Sequence, residues 1–136
     1  MNGGSNLNPI IQQIRSKNSL KDWGEKNIVE ASRKVAKALI KVSESELNTQ
    51  VRKVLDAVRK IELDIKTRNK FSTGTIVLLK PKLAYAVSRK TALMPLMDVM
   101  DPMIDKVRDV EDFRLLVAFV ESVIAYHRYC KANKNC

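Results

Sequence analysis

Between residues 51 and 65 the apolar side chains fall at Val51, Val54, Leu55, Val58, Ile61 and Ile65. Steps of three and four residues place all six on one face of an α-helix, whereas a strand would scatter them over both faces. A helix with one apolar stripe must bury it against other elements. Asn48 or Thr49 can cap its start, and Ser72-Thr73-Gly74 marks its end, so a helix is predicted to about Lys70. The other segments repeat this period. Ile28, Ala31, Val35, Ala38, Leu39 and Val42 predict a helix from about Ser19 to Val42, interrupted near Gly24. Thr75–Arg89 reads as a third helix, with Pro81 bending it or marking its true first turn. Residues 92–108 predict a fourth, and Val110–Lys131 a fifth, with Asp109, Glu111 and Asp112 at its positive end. The run Ile76-Val77-Leu78-Leu79 has strand propensity but no second strand to pair with. The expected fold is all-α: a single-domain bundle of five to six helices over residues 19–136. Residues 1–18 are expected to form a flexible arm, rich in Asn, Gly and Ser around a short Ile10, Ile11, Ile14 cluster.

A length of 136 residues supports one domain with a real core. No stretch approaches the ~20 apolar residues of a membrane span, and the N-terminus lacks the apolar region of a secretory leader. A cytoplasmic chain is expected, with Cys130 and Cys136 as reduced thiols.

The chain carries 25 Lys and Arg against 15 Asp and Glu, a net charge of +10. That excess is uneven. Residues 47–90 hold 11 basic and 3 acidic side chains, whereas residues 91–136 hold 6 and 7. Such a surplus points to a polyanion as partner. On the second helix Arg52, Arg59 and Lys66 recur every seven positions along one edge of the apolar stripe, and Lys53 and Lys60 form a second row. The first row covers about 21 Å. Asp56 and Asp64 stand four residues from Arg52, Lys60 and Arg68 and offer competing ion pairs, which at an exposed site are worth only about 0.2–1 kcal/mol each. Lys80 and Lys82 flank Pro81, and Arg89 and Lys90 close the same segment. With aromatics sparse, phosphate contact without base readout fits this pattern best. Tyr85 reads equally as core or as platform, and Trp23 reads as packing.

Parts for catalysis are missing from the pattern. The one histidine, His127, reads as a buried helical His ahead of a general base or an RNA contact. Asp98, Asp101 and Asp105 share a helical face, which reads as a solvated acidic face partnered by Lys106 and Arg108 ahead of a Mg²⁺ site. No Gly-rich phosphate loop exists. Neither an enzyme nor a bound cofactor or metal is expected.

Three blocks carry a resemblance. They are Leu47-Asn48-Thr49-Gln50-Val51-Arg52-Lys53-Val54-Leu55, then Leu79-Lys80-Pro81-Lys82-Leu83-Ala84-Tyr85-Ala86 followed by Arg89, and Phe119–Tyr129 with its Ala125-Tyr126-His127-Arg128 core. In this order and spacing they resemble the small subunit of type III-A CRISPR (Csm) interference complexes. Ser88 departs from the Gly that the family often has there, and residues 91–112 have no clear match. The resemblance implies a non-catalytic helical subunit of an antiviral ribonucleoprotein. Its partners would be the crRNA and target RNA backbones, other CRISPR effector subunits and copies of itself. Carried over by position, the RNA-facing residues are Arg52, Lys53, Lys80, Lys82, Arg89 and Arg128, with His127 behind them; the helical rows add Arg59, Lys60 and Lys66.

Two other readings compete. A protein–protein adaptor is suggested by the apolar 113–126 helix and by Met94, Met97, Met100 and Met103. An isolated copy would then form a homodimer by exchanging a helix. A helix-turn-helix DNA binder ranks lower, because the basic helices hold few Asn or Gln side chains for reading bases.

Overall fold

The computed structural model describes residues 6–136. Eight α-helical segments follow in order: α1 (Asn8–Ser16), α2 (Leu20–Trp23), α3 (Glu25–Ala38), α4 (Glu44–Arg68), α5 (Thr73–Val77), α6 (Leu79–Arg89), α7 (Met94–Ile104) and α8 (Val110–Ala132). A 3-10 turn at Thr91–Leu93 leads into α7, and there is no strand among the described residues. Six of these helices have nine residues or more, and α2 and α5 are single turns, so the bundle holds slightly more elements than expected. None of the helices is long and apolar enough to cross a membrane.

The central pair is α3 against α8. The two run parallel. Near their starts the Lys21 N–H donates to Asp112 Oδ1 at 2.8 Å, and near their ends His127 meets the carbonyls of Leu39 and Val42. Adjacent parallel helices need a long connection, and the chain from α4 to α7 supplies it while packing its own apolar faces. Helix α4 packs on α6 and α8, α6 on α7, and α7 on α1. Phe113, Phe119, Leu39, Leu47, Leu79, Leu83 and Met100 fill the interior.

Local chemistry sets the boundaries. Gly24 joins α2 to α3 at φ 91°, ψ 161°, a backbone region open in practice only to glycine. Helix α4 begins four residues before the expected Asn48, because the Ser43 hydroxyl accepts the Glu46 N–H. It ends at Asn69 in the left-handed conformation, which Asn tolerates well. The predicted third helix is split at Leu78, and Pro81 sits in the first turn of α6, where its missing N–H breaks no helical bond. The Asp109 carboxylate accepts the Asp112 N–H and caps α8.

Four expectations need correction. The supposed loose arm is helical from Asn8 to Ser16, because Leu7, Ile10 and Ile14 bury themselves against the bundle and Pro9 suits a first turn; residues 1–5 of that arm lie outside the described residues. Cys130 and Cys136 are not free thiols but a disulfide, because the turn after α8 brings their Cα atoms to 5.1 Å. Met100 and Met103 are core side chains, Met97 packs at its margin and only Met94 is exposed, so these four do not form an interface stripe. Asp105 pairs with Lys80 at 2.7 Å instead of with Lys106 or Arg108.

Candidate nucleic-acid interface

Where α4 lies along α5 and α6, the surface opens into a groove of about 500 Å³. Lys53, Asp56, Ala57, Lys60, Ile61 and Asp64 come from α4, and Thr75, Leu78, Leu79 and Lys82 from α5, α6 and the residue between them. The cause is helical register. Val54, Val58 and Ile61 point to the core, so Lys53 and Lys60, one position before Val54 and two after Val58, flank the stripe on a single side. Lys82, in the first turn of α6 after Pro81, lines the same hollow. Three ammonium groups from two distant segments therefore share one open floor.

Two carboxylates lie in that floor, and they could have neutralised it. None of the pairs that the sequence allowed forms within 4 Å: Asp56 does not reach Arg52 or Lys60, and Asp64 does not reach Lys60 or Arg68. The five ion-pair contacts among the described residues lie elsewhere, at Lys21–Asp109, Lys21–Asp112, Lys80–Asp105, Lys90–Glu46 and Arg128–Glu44. Lys53, Lys60 and Lys82 remain available to an outside anion. Lys53 also stands over the ring of Tyr85, 4.8 Å from its centroid.

The other candidates are arranged differently. Lys80 is two residues from Lys82 in sequence but turns toward the C-terminal end of α7, where Asp105 holds it. Arg52 and Arg59 are exposed, and Lys66 lines a separate hollow with Glu62, Asn69 and Arg114 against the start of α8. One residue step on a helix is about 100°, so the Arg52–Arg59–Lys66 row and the Lys53–Lys60 row leave α4 in different directions. Arg89 is exposed near the end of α6, and Arg128 is exposed 3.5 Å from Glu44.

His127 is fully buried. Its Nε2 lies 2.9 Å from the Val42 carbonyl and 3.2 Å from that of Leu39. Both neighbours are acceptors, so this nitrogen carries the proton and donates. The side chain satisfies the Val42 carbonyl, is a second donor to that of Leu39, which also accepts the Val42 N–H at 2.9 Å, and does not face solvent, which removes the RNA-contact role suggested by position. Trp23 is likewise buried, with Nε1 donating to Gln13 Oε1 at 3.2 Å. Among the described residues no group of three or more His, Cys, Asp or Glu side chains is placed to hold a metal.

A feature that the charge pattern of 47–90 did not single out lies at the other end of the bundle. Lys37, Lys131 and Lys134 surround a hollow beside the disulfide. Lys131 Nζ donates to the Ile40 carbonyl at 3.1 Å, and Arg33 Nη2 to the Cys136 carbonyl at 2.9 Å, so these cations also serve the ends of two helices.

A small all-α domain with an open lysine groove on one flank defines a basic helical module. More particularly, the chain belongs to the Csm2 Type III-A family, whose model matches residues 22–133. That family is a structural subunit family of the multisubunit type III-A CRISPR Csm complex, so the chain is a small subunit of that assembly. Comparison with curated proteins and with solved structures returned no match.

Proposed function

We propose that this chain is a non-catalytic, RNA-binding subunit that lines the crRNA–target RNA duplex of the Csm complex through phosphate contacts. One observation carries the reading: Lys53, Lys60 and Lys82, from two separate helices, share one open groove without an ion-pair partner within 4 Å among the described residues. Ammonium groups are point charges that suit a phosphate backbone and read no base, so binding depends on salt and little on sequence. Arg52, Arg59 and Lys66 extend the basic surface over the next flank of α4, and Arg89 extends it beyond α6. Lys80 and Arg128, each beside a carboxylate, contribute least.

The test is fluorescence anisotropy with a labelled single-stranded RNA and with an RNA duplex. Replacing Lys53, Lys60 and Lys82 together by Ala should weaken binding at least ~10-fold at moderate salt. Lys80→Ala should change it less than about two-fold, because Asp105 already holds that charge. Equal losses in the two variants would refute the groove.

A second reading concerns assembly. Val77 and Leu78 are exposed at 46% and 62% beside the groove, and Leu63 at 57% on the outer face of α4. Apolar side chains this exposed fit contact with a neighbouring subunit or a second copy of this chain. Light scattering of the isolated protein, with and without Leu63→Asp, which lies outside the groove lining, separates self-association from RNA binding.

A further inference from the structure

We infer that Tyr85 is a stacking platform for an unpaired nucleotide of the RNA whose phosphates the groove holds. This rests on the phosphate-binding reading above and adds to it a preference among RNA structures.

Of the seven aromatics three are buried and two, Tyr85 and Tyr129, are about half exposed; only Tyr85 of these two adjoins the lysine groove, through Lys53. Trp23, Phe113 and Phe119 are buried, whereas Tyr85 is 49% exposed on the outer side of α6. It stands two residues before Val87 and one before Ala86, which take the core positions of that turn. The phenol therefore projects outward beside the helix, where burial does not account for it. What it touches is Lys53, whose ammonium lies 4.8 Å from the ring centroid. Lys53 also lines the groove with Lys60 and Lys82. One side chain thus joins the aromatic ring to the cationic floor.

The chemistry of such a pair is selective. A nucleotide offers a phosphate and a flat base a few ångströms apart. Lys53 and Lys82 can take the phosphate while the exposed part of the Tyr85 ring takes the base. Base–aromatic stacking tolerates any base, because each has a π-face. A base already stacked inside a duplex cannot use the ring without leaving its neighbours. The pairing therefore favours single-stranded RNA, or an unpaired nucleotide at a duplex end or break, over continuous duplex.

The experiment compares Tyr85→Ala and Tyr85→Phe with the unaltered chain, using a labelled 12-nucleotide single-stranded RNA and a blunt duplex of the same sequence. Tyr85→Ala should weaken single-strand binding about five- to hundred-fold while leaving duplex binding and the salt dependence nearly unchanged. Tyr85→Phe should bind like the unaltered chain, since stacking needs the ring and not the hydroxyl. Because Tyr85 is exposed, both variants should fold, and circular dichroism confirms it. Equal losses on both RNAs, or no loss on either, overturns the platform. Those results leave the groove reading standing or falling on the lysine variants alone, so the two failures are distinguishable.

Discussion

The imidazole of His127 donates from Nε2 to the carbonyl of Val42 at 2.9 Å, across 85 residues of sequence. This bond and its companion to Leu39 close the turn between α3 and α4 from the side of α8. Three helices meet at one ring, and Nδ1 has no hydrogen-bond partner among the described residues. Replacing His127 by Ala strands the Val42 carbonyl, takes one of two donors from that of Leu39 and opens a cavity, a cost of about 2–4 kcal/mol in unfolding free energy. Urea denaturation should show that loss, while the folded variant retains its RNA affinity. An affinity loss without a stability loss would return His127 to the surface chemistry that its motif position suggested.

Gly24 provides a test confined to the backbone. Its φ of 91° and ψ of 161° suit glycine, yet a methyl group built there would meet nothing within 4 Å. Gly24→Ala should therefore destabilise through conformation alone, by about 1–3 kcal/mol. Thermal melting that is unchanged would mean that the α2–α3 junction relaxes without penalty.

The start of α8 gives a pH signature. The Lys21 ammonium lies 2.6 Å from Asp109 Oδ2, and with the Asp112 N–H it holds the Asp109 carboxyl below its ordinary value; the same bond to Asp109 raises Lys21. A carboxyl with a depressed folded value binds its proton less tightly when folded. Its contribution is present above about pH 4 and is lost as pH falls through the folded value. A raised lysine contributes fully below about pH 10.5, and that contribution is lost as pH rises through its folded value. Asp98 and Asp101, which burial pushes up, bind protons more tightly when folded and oppose the acid loss. Asp109→Asn keeps a capping oxygen and removes the charge. Its melting temperature should fall less steeply between about pH 5 and 3, and between about pH 10 and 11.5, than that of the unaltered chain. Parallel curves would show that the pair carries no linkage.

Asp56 and Asp64 face the same hollow as the three lysines and repel any phosphate placed there. Replacing both by Asn should strengthen RNA binding about three- to ten-fold at low salt, with the gain shrinking as salt screens it. Weaker binding would instead assign the carboxylates to orienting the lysines.

The parts of this fold that could be read from sequence are those whose signal is local. The α4 stripe, the acidic start of α8 and the break near Gly24 each follow from spacing or from one residue's backbone chemistry, whereas Pro81 reads as a bend or a first turn until the split at Leu78 decides for the first turn. Helix α1 could not be read, because nine residues rich in Asn and Gln have little helical stability until Ile10 and Ile14 reach the bundle. The disulfide depends on a turn that closes after α8, which spacing alone does not specify. Within the groove, sequence distinguishes the Arg52 row from the Lys53 row but not the row that α6 will approach. It also cannot tell Lys80 from Lys82, since their difference is created by Asp105 at the C-cap of α7. Tyr85 needed the packing of α4 on α6 before its exposure and its place over Lys53 could be known.

The most direct measurement is the salt dependence of single-stranded RNA binding by the unaltered chain and by the variant with Lys53, Lys60 and Lys82 all replaced by Ala. If the three ammonium groups each displace a counterion from the strand, the slope of log K against log salt should become shallower by about two. An unchanged slope, whatever the change in affinity, would contradict the claim that phosphates lie in the α4–α6 groove.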